Sequence, residues 1–497
     1  MAVLAAAVLA CGGGSSPAPP PGGGSVSPGG TDGGTPGGPP ATAIAGGGDW
    51  AQYRSGVSGT SSIEGTWSAA QVADLDQLWK KDLGKDDQEL PEFKDHVLGY
   101  TQPIVVGDTV YVTVAVTAGL VALDARSGAL RWKRTFPAQV RTNCNGVKNR
   151  GFWTAPSVVG GIVYLAAPDG RVYALDAKDG STKWSSAVAD AMDSGEGEFL
   201  QSSPAVSTAL GRLYIGVASS EHCNEVAGRV IAVDLTSGAS QSTALVEPGK
   251  RGGGIWSSIS VDEAAGKIFA STANRIGPAS EEPLAEAIVR LDARTLRVEE
   301  HWQNPTQLEN SDFGSSPTLF ADASGTPLVA AANKDGSLYV LRRDRLGAGP
   351  VWSAKLAVID PADPTVGGDP SAGFGSIVSA TFANGLLYAA GGRTPQDEPG
   401  SVVAFDPATG AVRWKHVTPG YVIAAMPAIG DLLIAESTSP DNQASWLEVL
   451  DARSGVSLRR FPGRNATFAA PTAGRGLILW VDTFGLLTAF ASPSMHP

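Results

Sequence analysis

A short pattern that recurs along this chain constrains its fold more than any other feature. Each copy contains an apolar strand, the triplet Ala-Leu-Asp or a close variant, a turn ending in glycine, and a tryptophan on the next strand. Clear copies occupy residues 119–132, 170–184 and 400–414; looser copies end at Asp234, Asp292, Leu341 and Asp451, and a shorter one occupies 485–490. A unit that returns every ~40 to 64 residues predicts a circular or stacked array of small sheets.

A second phrase opens each unit: proline, a short apolar run, glycine and another apolar run, as in residues 101–112 and 155–165. The same opening recurs at Pro204, Pro317, Pro427 and Pro471, and without proline at Ser257 and Ser379, which makes eight units. Short apolar runs divided by glycine turns predict β-hairpins, and no segment sustains a helical period. We therefore predict an all-β, eight-bladed β-propeller of four-stranded antiparallel blades.

The ends of the chain indicate how this ring closes. The last unit stops at Phe490 without a fourth strand, whereas residues 75–83 carry the tryptophan-bearing strand that the last unit lacks. An N-terminal strand that completes the final blade ties both ends of the chain together and removes an exposed sheet edge. We expect the propeller to span residues 49–497.

The N-terminal region indicates a lipid anchor. Residues 1–10 contain a short apolar run before Cys11, which resembles a bacterial lipoprotein signal, although the basic segment expected before it is absent. Either the true start codon lies further upstream or the run is fortuitous. If residues 1–10 are the remnant of a lipoprotein signal, we expect lipidation of Cys11 and a disordered Gly/Pro/Ser tether at 11–48. The protein would then be periplasmic and lipid-anchored at the outer membrane.

Charge and cysteine content narrow the classes of partner. The formal net charge of −12 disfavours nucleic acid, which needs a basic face. No stretch of apolar residues is long enough to span a membrane. Beyond Cys11, the chain has only Cys144 and Cys223, which form one disulfide bridge or are two unrelated buried thiols; the sequence leaves both open.

Chemically distinctive side chains cluster in one class of loop. In a four-stranded antiparallel blade, the loop leading into the first strand (the leading loop) and the loop between the second and third strands (the middle loop) lie on one face. Leading loops hold Cys144, Arg150, Trp256 and Asp312, and middle loops hold Glu221, Cys223, Asn274 and Lys334. Carboxylates, an amide, cations and an indole on one face predict an oxygen-ligand cation site beside a planar anionic ligand.

The motifs around these residues resemble, in chain order, those of the quinoprotein alcohol dehydrogenases, and most of all the polyvinyl-alcohol dehydrogenase type. That family consists of eight-bladed propellers that bind pyrroloquinoline quinone (PQQ) and Ca²⁺. The similarity runs from residue 49 to residue 490, and the motifs that carry it are Cys-Asn-Gly-Val-Lys-Asn-Arg-Gly at 144–151, Ile-Trp-Ser-Ser at 255–258, Thr-Ala-Asn at 272–274, and the segments 311–320 and 333–341.

The resemblance implies a role for each motif. It implies that Arg150 contacts the quinone carboxylates, in one cofactor loop with Cys144 and Asn149, and that Trp256 stacks under the quinone ring. It implies that Glu221, with Glu225 as a rival, binds Ca²⁺ together with Asn274 and Asp312. Asp312 would also accept the alcohol proton, and Lys334 would stabilise the oxyanion that develops on the quinone.

Two positions of the site motifs depart from the family pattern. Asn145 replaces the second cysteine of a vicinal pair, and Ala273 replaces a glycine of the metal site. Gly314 stands where lanthanide-using members carry a second aspartate, which favours Ca²⁺. These departures leave room for a site that has lost cofactor affinity or activity.

Two functions follow from these observations. The first is a periplasmic oxidoreductase that oxidises an alcohol with PQQ and Ca²⁺; because no Cys-x-x-Cys-His haem motif occurs, its electrons would pass to a separate acceptor such as a cytochrome c. The alternative is a non-catalytic propeller lipoprotein that acts as a protein–protein scaffold in outer-membrane assembly. The tether favours the scaffold, and the ordered site motifs favour the enzyme.

Overall fold

The computed structural model describes residues 46–84, 101–114, 117–138, 141–142, 148–149, 151–190, 197–219, 226–306 and 308–495. Eight antiparallel sheets form the blades of an eight-bladed β-propeller, as predicted. Blade 1 consists of Ile104–Val106, Thr109–Val114, Gly119–Asp124 and Leu130–Thr135, and blade 2 of Ser157–Val159, Ile162–Ala166, Arg171–Asp176 and Thr182–Ala187. Blade 3 consists of Ala205–Ser207, Arg212–Val217, Arg229–Asp234 and Ser240–Ala244, and blade 4 of Ser260–Asp262, Lys267–Ser271, Ala287–Asp292 and Val298–Gln303.

The remaining blades repeat the same order of strands. Blade 5 consists of Thr318–Ala321, Pro327–Ala332, Ser337–Arg342 and Pro350–Lys355, and blade 6 of Thr381–Ala383, Leu386–Gly391, Gly400–Phe405 and Val412–Thr418. Blade 7 consists of Ala428–Ile429, Leu432–Thr438, Ser445–Asp451 and Ser457–Gly463, with Ser62–Ile63 as a fifth, parallel strand. Outside the blades lie the paired strands Arg141–Thr142 and Lys148–Asn149, the α-helix Ala69–Ala73, and the 3₁₀ turns Leu346–Ala348, Pro370–Ala372 and Pro493–Met495.

Blade 8 closes the ring with both ends of the chain. Its first three strands are Thr472–Gly474, Leu477–Val481 and Leu486–Ala491, and its outer strand is the N-terminal Asp76–Asp82, which pairs antiparallel with the third strand. One apolar cluster runs from blade 8 through blade 1 to blade 2 and includes Leu479, Val112 and Val163. The predicted closure by an N-terminal strand is therefore confirmed.

The repeated tryptophans join neighbouring blades. The Trp79 indole donates its N–H to the carbonyl of Ala125 on the next blade at 2.9 Å, and its ring lies against Gly128 of that blade's turn. Equivalent bonds join Trp132 to Ala177, Trp184 to Leu235, Trp352 to Pro407 and Trp414 to Ala452. The turn glycine is required because a Cβ at Gly128 would lie 2.8 Å from the Trp79 ring and the residue has a φ of +67°.

Residues 46–63, here called the channel segment, run around the central channel and hydrogen-bond to every blade in turn, at its inner strand or at the residue that follows it. It begins at blade 8, where the Arg475 N–H donates to the Gly48 carbonyl. Bonds to blades 1 to 7 follow in order, through Trp50–Val105, Ala51–Val158, Gln52–Val206, Val57–Val261, Ser58–Leu319, Thr60–Phe382 and Ser61–Ala428. The chain is thus bound to all eight blades within 16 residues of sequence, from Gly48 to Ile63.

Arg54 anchors the channel segment at its centre. Its guanidinium is buried and donates to the carbonyls of Ser316, Pro317 and Ala380 at the inner ends of blades 5 and 6. Burial lowers the pKa of Arg54 to about 10. Because the acceptors belong to separate blades, this one side chain fixes the spacing of their inner strands.

The helix Ala69–Ala73 leads into the closing strand. Ser68 caps it by accepting the Gln71 N–H, and the Gln71 side chain accepts the Ser68 N–H in return. Across the described ranges, no helix has the length and apolar character needed to cross a membrane.

Candidate active site

Four of the predicted site residues meet on one face of blades 4 and 5, here called the upper face. Trp256 lies in the leading loop of blade 4 and Asn274 in its middle loop. Asp312 lies in the leading loop of blade 5 and Lys334 in its middle loop. The structure therefore brings these four side chains together as the loop topology predicts.

Asp312 is the centre of this group. Its side chain is 2 % exposed, and Oδ2 accepts the indole N–H of Trp256 at 2.7 Å. Oδ1 lies 2.6 Å from the Lys334 ammonium, which itself lies 5.5 Å from the centroid of the Trp256 ring. A buried carboxylate needs such compensation, so Lys334 balances the charge of Asp312 and also contacts the indole face.

Asn310 joins Asn274 to Lys334 and was missed by the sequence reasoning. Its Oδ1 accepts from Asn274 Nδ2 at 3.0 Å and from Lys334 Nζ at 3.0 Å. The Oδ1 of Asn274 is buried and finds no hydrogen-bond partner among the residues that the structure describes. The only signal for Asn310 in the sequence is its position two residues before Asp312 on the same leading loop.

Hydrogen bonds between loops hold these side chains in place. The Ser311 hydroxyl donates to Asn333 Oδ1 at 2.8 Å, and Asn333 Nδ2 donates to the Ser311 carbonyl at 2.8 Å. The Phe313 N–H donates to the Thr272 carbonyl at 3.2 Å. The loop of Asp312 is therefore bound both to the middle loop of its own blade and to that of blade 4.

Gly314 allows Trp256 to approach Asp312. A Cβ at position 314 would lie 2.3 Å from Trp256 Cη2 and 2.4 Å from Ile377 Cγ2, distances that carbon atoms do not adopt. Any side chain at position 314 would therefore displace the indole that binds Asp312.

Arg275, the residue after Asn274, forms a buried ion pair. Arg275 Nη1 lies 2.6 Å from Glu286 Oε2, and Glu286 is 2 % exposed. Burial raises the pKa of Glu286 to about 7; Arg275 opposes this rise, and the charge of Asp312 adds to it. Glu286 was not among the predicted site residues.

The comparisons with known proteins place the chain in a family. The family model PQQ_2, described as outer membrane protein assembly factor BamB, matches residues 68–340 and 334–483. The chain belongs to the PQQ_2 family. The description of this family names an assembly factor, so membership alone does not select between a scaffold and an enzyme.

Several similar curated proteins are dehydrogenases by name. A polyvinylalcohol dehydrogenase of a Pseudomonas species is 23 % identical over 300 residues, which is 52 % of this chain and 45 % of that protein. A quinohemoprotein alcohol dehydrogenase of Comamonas testosteroni is 27 % identical over 324 residues, 56 % of this chain and 42 % of that protein. The PQQ_2 chain thus matches only about half the length of these curated relatives.

Solved structures support the fold. A europium-containing methanol dehydrogenase superposes with a TM-score of 0.70 at 16 % identity, covering 89 % of this chain and 98 % of that one. BamB from Moraxella catarrhalis superposes with a TM-score of 0.50 at 15 % identity, covering 84 % and 97 %. Both pairs share the propeller fold with this PQQ_2 member.

The structure does not describe the side chains of the other predicted site residues. Cys144, Arg150 and Glu221 lie outside the described residues, as do Cys223 and Cys11. For Asn149 only the backbone is described, in the short strand Lys148–Asn149. Within the described ranges, no group of three or more His, Cys, Asp or Glu side chains is arranged to hold a metal ion. The predicted roles of these residues remain predictions.

The described residues nevertheless fit part of a cation and quinone site. Asn274 Oδ1 is a buried amide oxygen without a described partner, and the Asp312 carboxylate belongs to the same cluster. Amide and carboxylate oxygens are the ligands that Ca²⁺ prefers. Beside them, the half-buried Trp256 offers an aromatic face and Lys334 a positive charge, as a planar anionic ligand would require.

Proposed function

We propose that this PQQ_2 protein is a quinoprotein oxidoreductase that oxidises an alcohol with PQQ and Ca²⁺. The observation that carries the proposal is the buried Asp312 carboxylate, held by Trp256 and Lys334. Lys334 also bonds Asn310, which in turn bonds Asn274, and the buried oxygen of Asn274 has no described partner. A surface that only docks partners has no need for this arrangement, because a buried charge and an unpaired buried oxygen both cost stability.

The residues of the cluster divide the chemistry between them. Bound PQQ would supply the two-electron acceptor, with Ca²⁺ as a Lewis acid. Asp312 accepts the hydroxyl proton of the alcohol at a carboxylate oxygen, which its hydrogen bond from Trp256 keeps oriented. Lys334 supplies positive charge where negative charge develops, and its pairing with Asp312 fixes the ammonium there beforehand.

Asn274 and Asp312 would bind the metal, with Glu221 completing the protein ligands. Gly314 supports Ca²⁺ rather than a lanthanide because it supplies no second carboxylate, and a Cβ at that position would lie 2.3 Å from the Trp256 ring. The protein ligands would then carry two negative charges and one neutral amide, a set of hard oxygens that suits Ca²⁺.

We propose further that the protein works in the periplasm, anchored to the outer membrane through lipidated Cys11, and passes electrons to a separate carrier such as a cytochrome c. The support is the apolar run before Cys11 and the Gly/Pro/Ser segment after it. With a basic segment added at the N-terminus, the protein should fractionate with membranes, and Cys11→Ser should release it. Unchanged fractionation of the variant would contradict lipid anchoring.

A scaffold role in outer-membrane assembly is the second candidate. It is supported by the description of the PQQ_2 family model and by the coverage of the BamB structure. This role predicts binding of a protein partner and no response to PQQ.

Thermal unfolding with PQQ and Ca²⁺ separates the two candidates. A ligand that binds only the native protein stabilises it by about 2.7 kcal/mol at 100 times its Kd, which raises the melting temperature. Alcohol-dependent reduction of an artificial electron acceptor should accompany this shift. Asp124→Asn serves as a control, because Asp124 caps a turn of blade 1 away from the upper face. Folded protein that shows no shift at saturating PQQ and Ca²⁺ would favour the scaffold.

A further inference from the structure

Two side-chain amides lie in series between Lys334 and the proposed metal. Lys334 Nζ lies 3.0 Å from Asn310 Oδ1, and the same oxygen lies 3.0 Å from Asn274 Nδ2. The oxygen and nitrogen ends of an amide have nearly the same shape, so the direction of each amide depends on the partners that it meets.

The Lys334 ammonium determines both directions. It has three donors and no acceptor, so the end of Asn310 that faces it must be the carbonyl oxygen. Asn274 meets that same oxygen and must therefore present its NH₂ group. The oxygen of Asn274 is consequently turned away from Asn310, and it is the buried atom with no described partner.

We infer that Asn310 is a positioning residue, which transmits the polarity of Lys334 to Asn274 so that Asn274 presents its oxygen, and not its NH₂, to the cation. This inference rests on the proposed function. With Asn274 reversed, two carbonyl oxygens would face each other and an NH₂ group would point at the metal. Asn310 thereby links Lys334, which stabilises charge, to Asn274, a proposed metal ligand that Lys334 does not touch.

The backbone around Asn310 is held independently of its side chain. The Glu309 N–H donates to the Thr365 carbonyl at 3.0 Å, and the Gly367 N–H donates to the Glu309 carbonyl at 2.7 Å. Asn310 has a φ of +52°, in the left-handed region that asparagine and aspartate tolerate better than other residues with a side chain. Side-chain variants at this position should therefore fold.

The test compares Asn310→Ala with Asn310→Asp. Alanine removes the shared acceptor, whereas aspartate keeps an acceptor for both Lys334 and Asn274. Asn384→Ala is the matched control, because Asn384 also has a positive φ (+54°) and donates one side-chain hydrogen bond, to the carbonyl of Gly430. The measurement is Ca²⁺ affinity by titration calorimetry, with Ca²⁺ alone and with saturating PQQ.

We expect Asn310→Ala to weaken Ca²⁺ binding by about 10- to 100-fold, the usual effect of removing a group that orients a metal ligand. Asn310→Asp should bind within a few fold of wild type, and Asn384→Ala should match wild type. If Asn310→Ala binds Ca²⁺ like wild type while Asp312→Asn loses it, the positioning role is wrong and the proposed function stands. If wild type binds neither Ca²⁺ nor PQQ, the positioning role and the proposed function are both wrong.

Discussion

Gly314→Ala should disrupt the candidate active site by a single methyl group. The added Cβ would lie 2.3 Å from Trp256 Cη2 and 2.6 Å from Trp256 Cζ2, whereas non-bonded carbons rest at about 3.5–4.0 Å. The indole must therefore retreat by about 1 Å or more. Since its N–H is 2.7 Å from Asp312 Oδ2, that retreat breaks the hydrogen bond.

Two effects set the loss of stability in Gly314→Ala. Overpacking costs about 1–3 kcal/mol, and a hydrogen bond to a charged group contributes about 1.5–3 kcal/mol, so Gly314→Ala should lower the free energy of unfolding by about 2.5–6 kcal/mol. Denaturant titration measures this loss. Because Trp256 also provides the proposed aromatic face, PQQ affinity should fall in the same variant.

Gly56→Ala is the matched control, because Gly56 has no positive φ and no heavy atom within 4 Å of an added Cβ. It includes the same change in the entropy of the unfolded chain, which favours alanine by about 0.4–1 kcal/mol. Equal free energies of unfolding for the two variants, together with wild-type PQQ affinity in Gly314→Ala, would refute this role of Gly314.

Asp312→Asn should lower the free energy of unfolding by about 3 kcal/mol in denaturant titration and abolish dye reduction. Both partners of this side chain only donate hydrogen bonds, so an amide must turn its NH₂ toward one of them. Dye reduction equal to wild type would exclude Asp312 as the base. Gly128→Ala should destabilise by about 1–3 kcal/mol more than Gly107→Ala, because both glycines have a positive φ but only Gly128 meets a tryptophan ring; equal losses would show that the ring yields freely. Burial raises the pKa of Glu436 well above 4.5, so the native state keeps a proton that the unfolded state releases, and stability should fall as the pH rises above about 4.5. In Glu436→Gln, the free energy of unfolding should depend less on pH. A variant whose free energy of unfolding varies from pH 4 to 8 as that of wild type does would contradict this prediction.

The architecture could be predicted from the sequence because it depends on local signals that repeat. The turn glycine, the aspartate before it and the tryptophan after it act within one blade and its neighbour, so each copy is legible by itself. The missing fourth strand of the last unit then identified its replacement at residues 75–83, which pair as Asp76–Asp82.

The path of the channel segment could not be predicted in the same way. Apart from the Gln52 side chain on blade 3, its bonds to the blades use backbone groups, which carry no sequence signature. Arg54 binds carbonyls of residues more than 260 positions away. Likewise the sequence shows Asn310 and Asn274 as two asparagines, whereas their directions depend on the ammonium of Lys334. Glu436, a buried carboxyl without a hydrogen-bond partner among the described residues, follows no pattern in the sequence.

The closure of the ring has a consequence for biosynthesis. Strand Asp76–Asp82 and the channel segment are made early, but Asp76–Asp82 pairs with Leu486–Ala491, about 400 residues later, which at about 5–20 residues per second takes about 20–80 s. During that interval their backbone groups have no native partner on blade 8, and unpaired strand edges promote aggregation. Such long-range pairing also slows folding. The part of the propeller that the ribosome makes first is therefore the part whose native contacts are completed last.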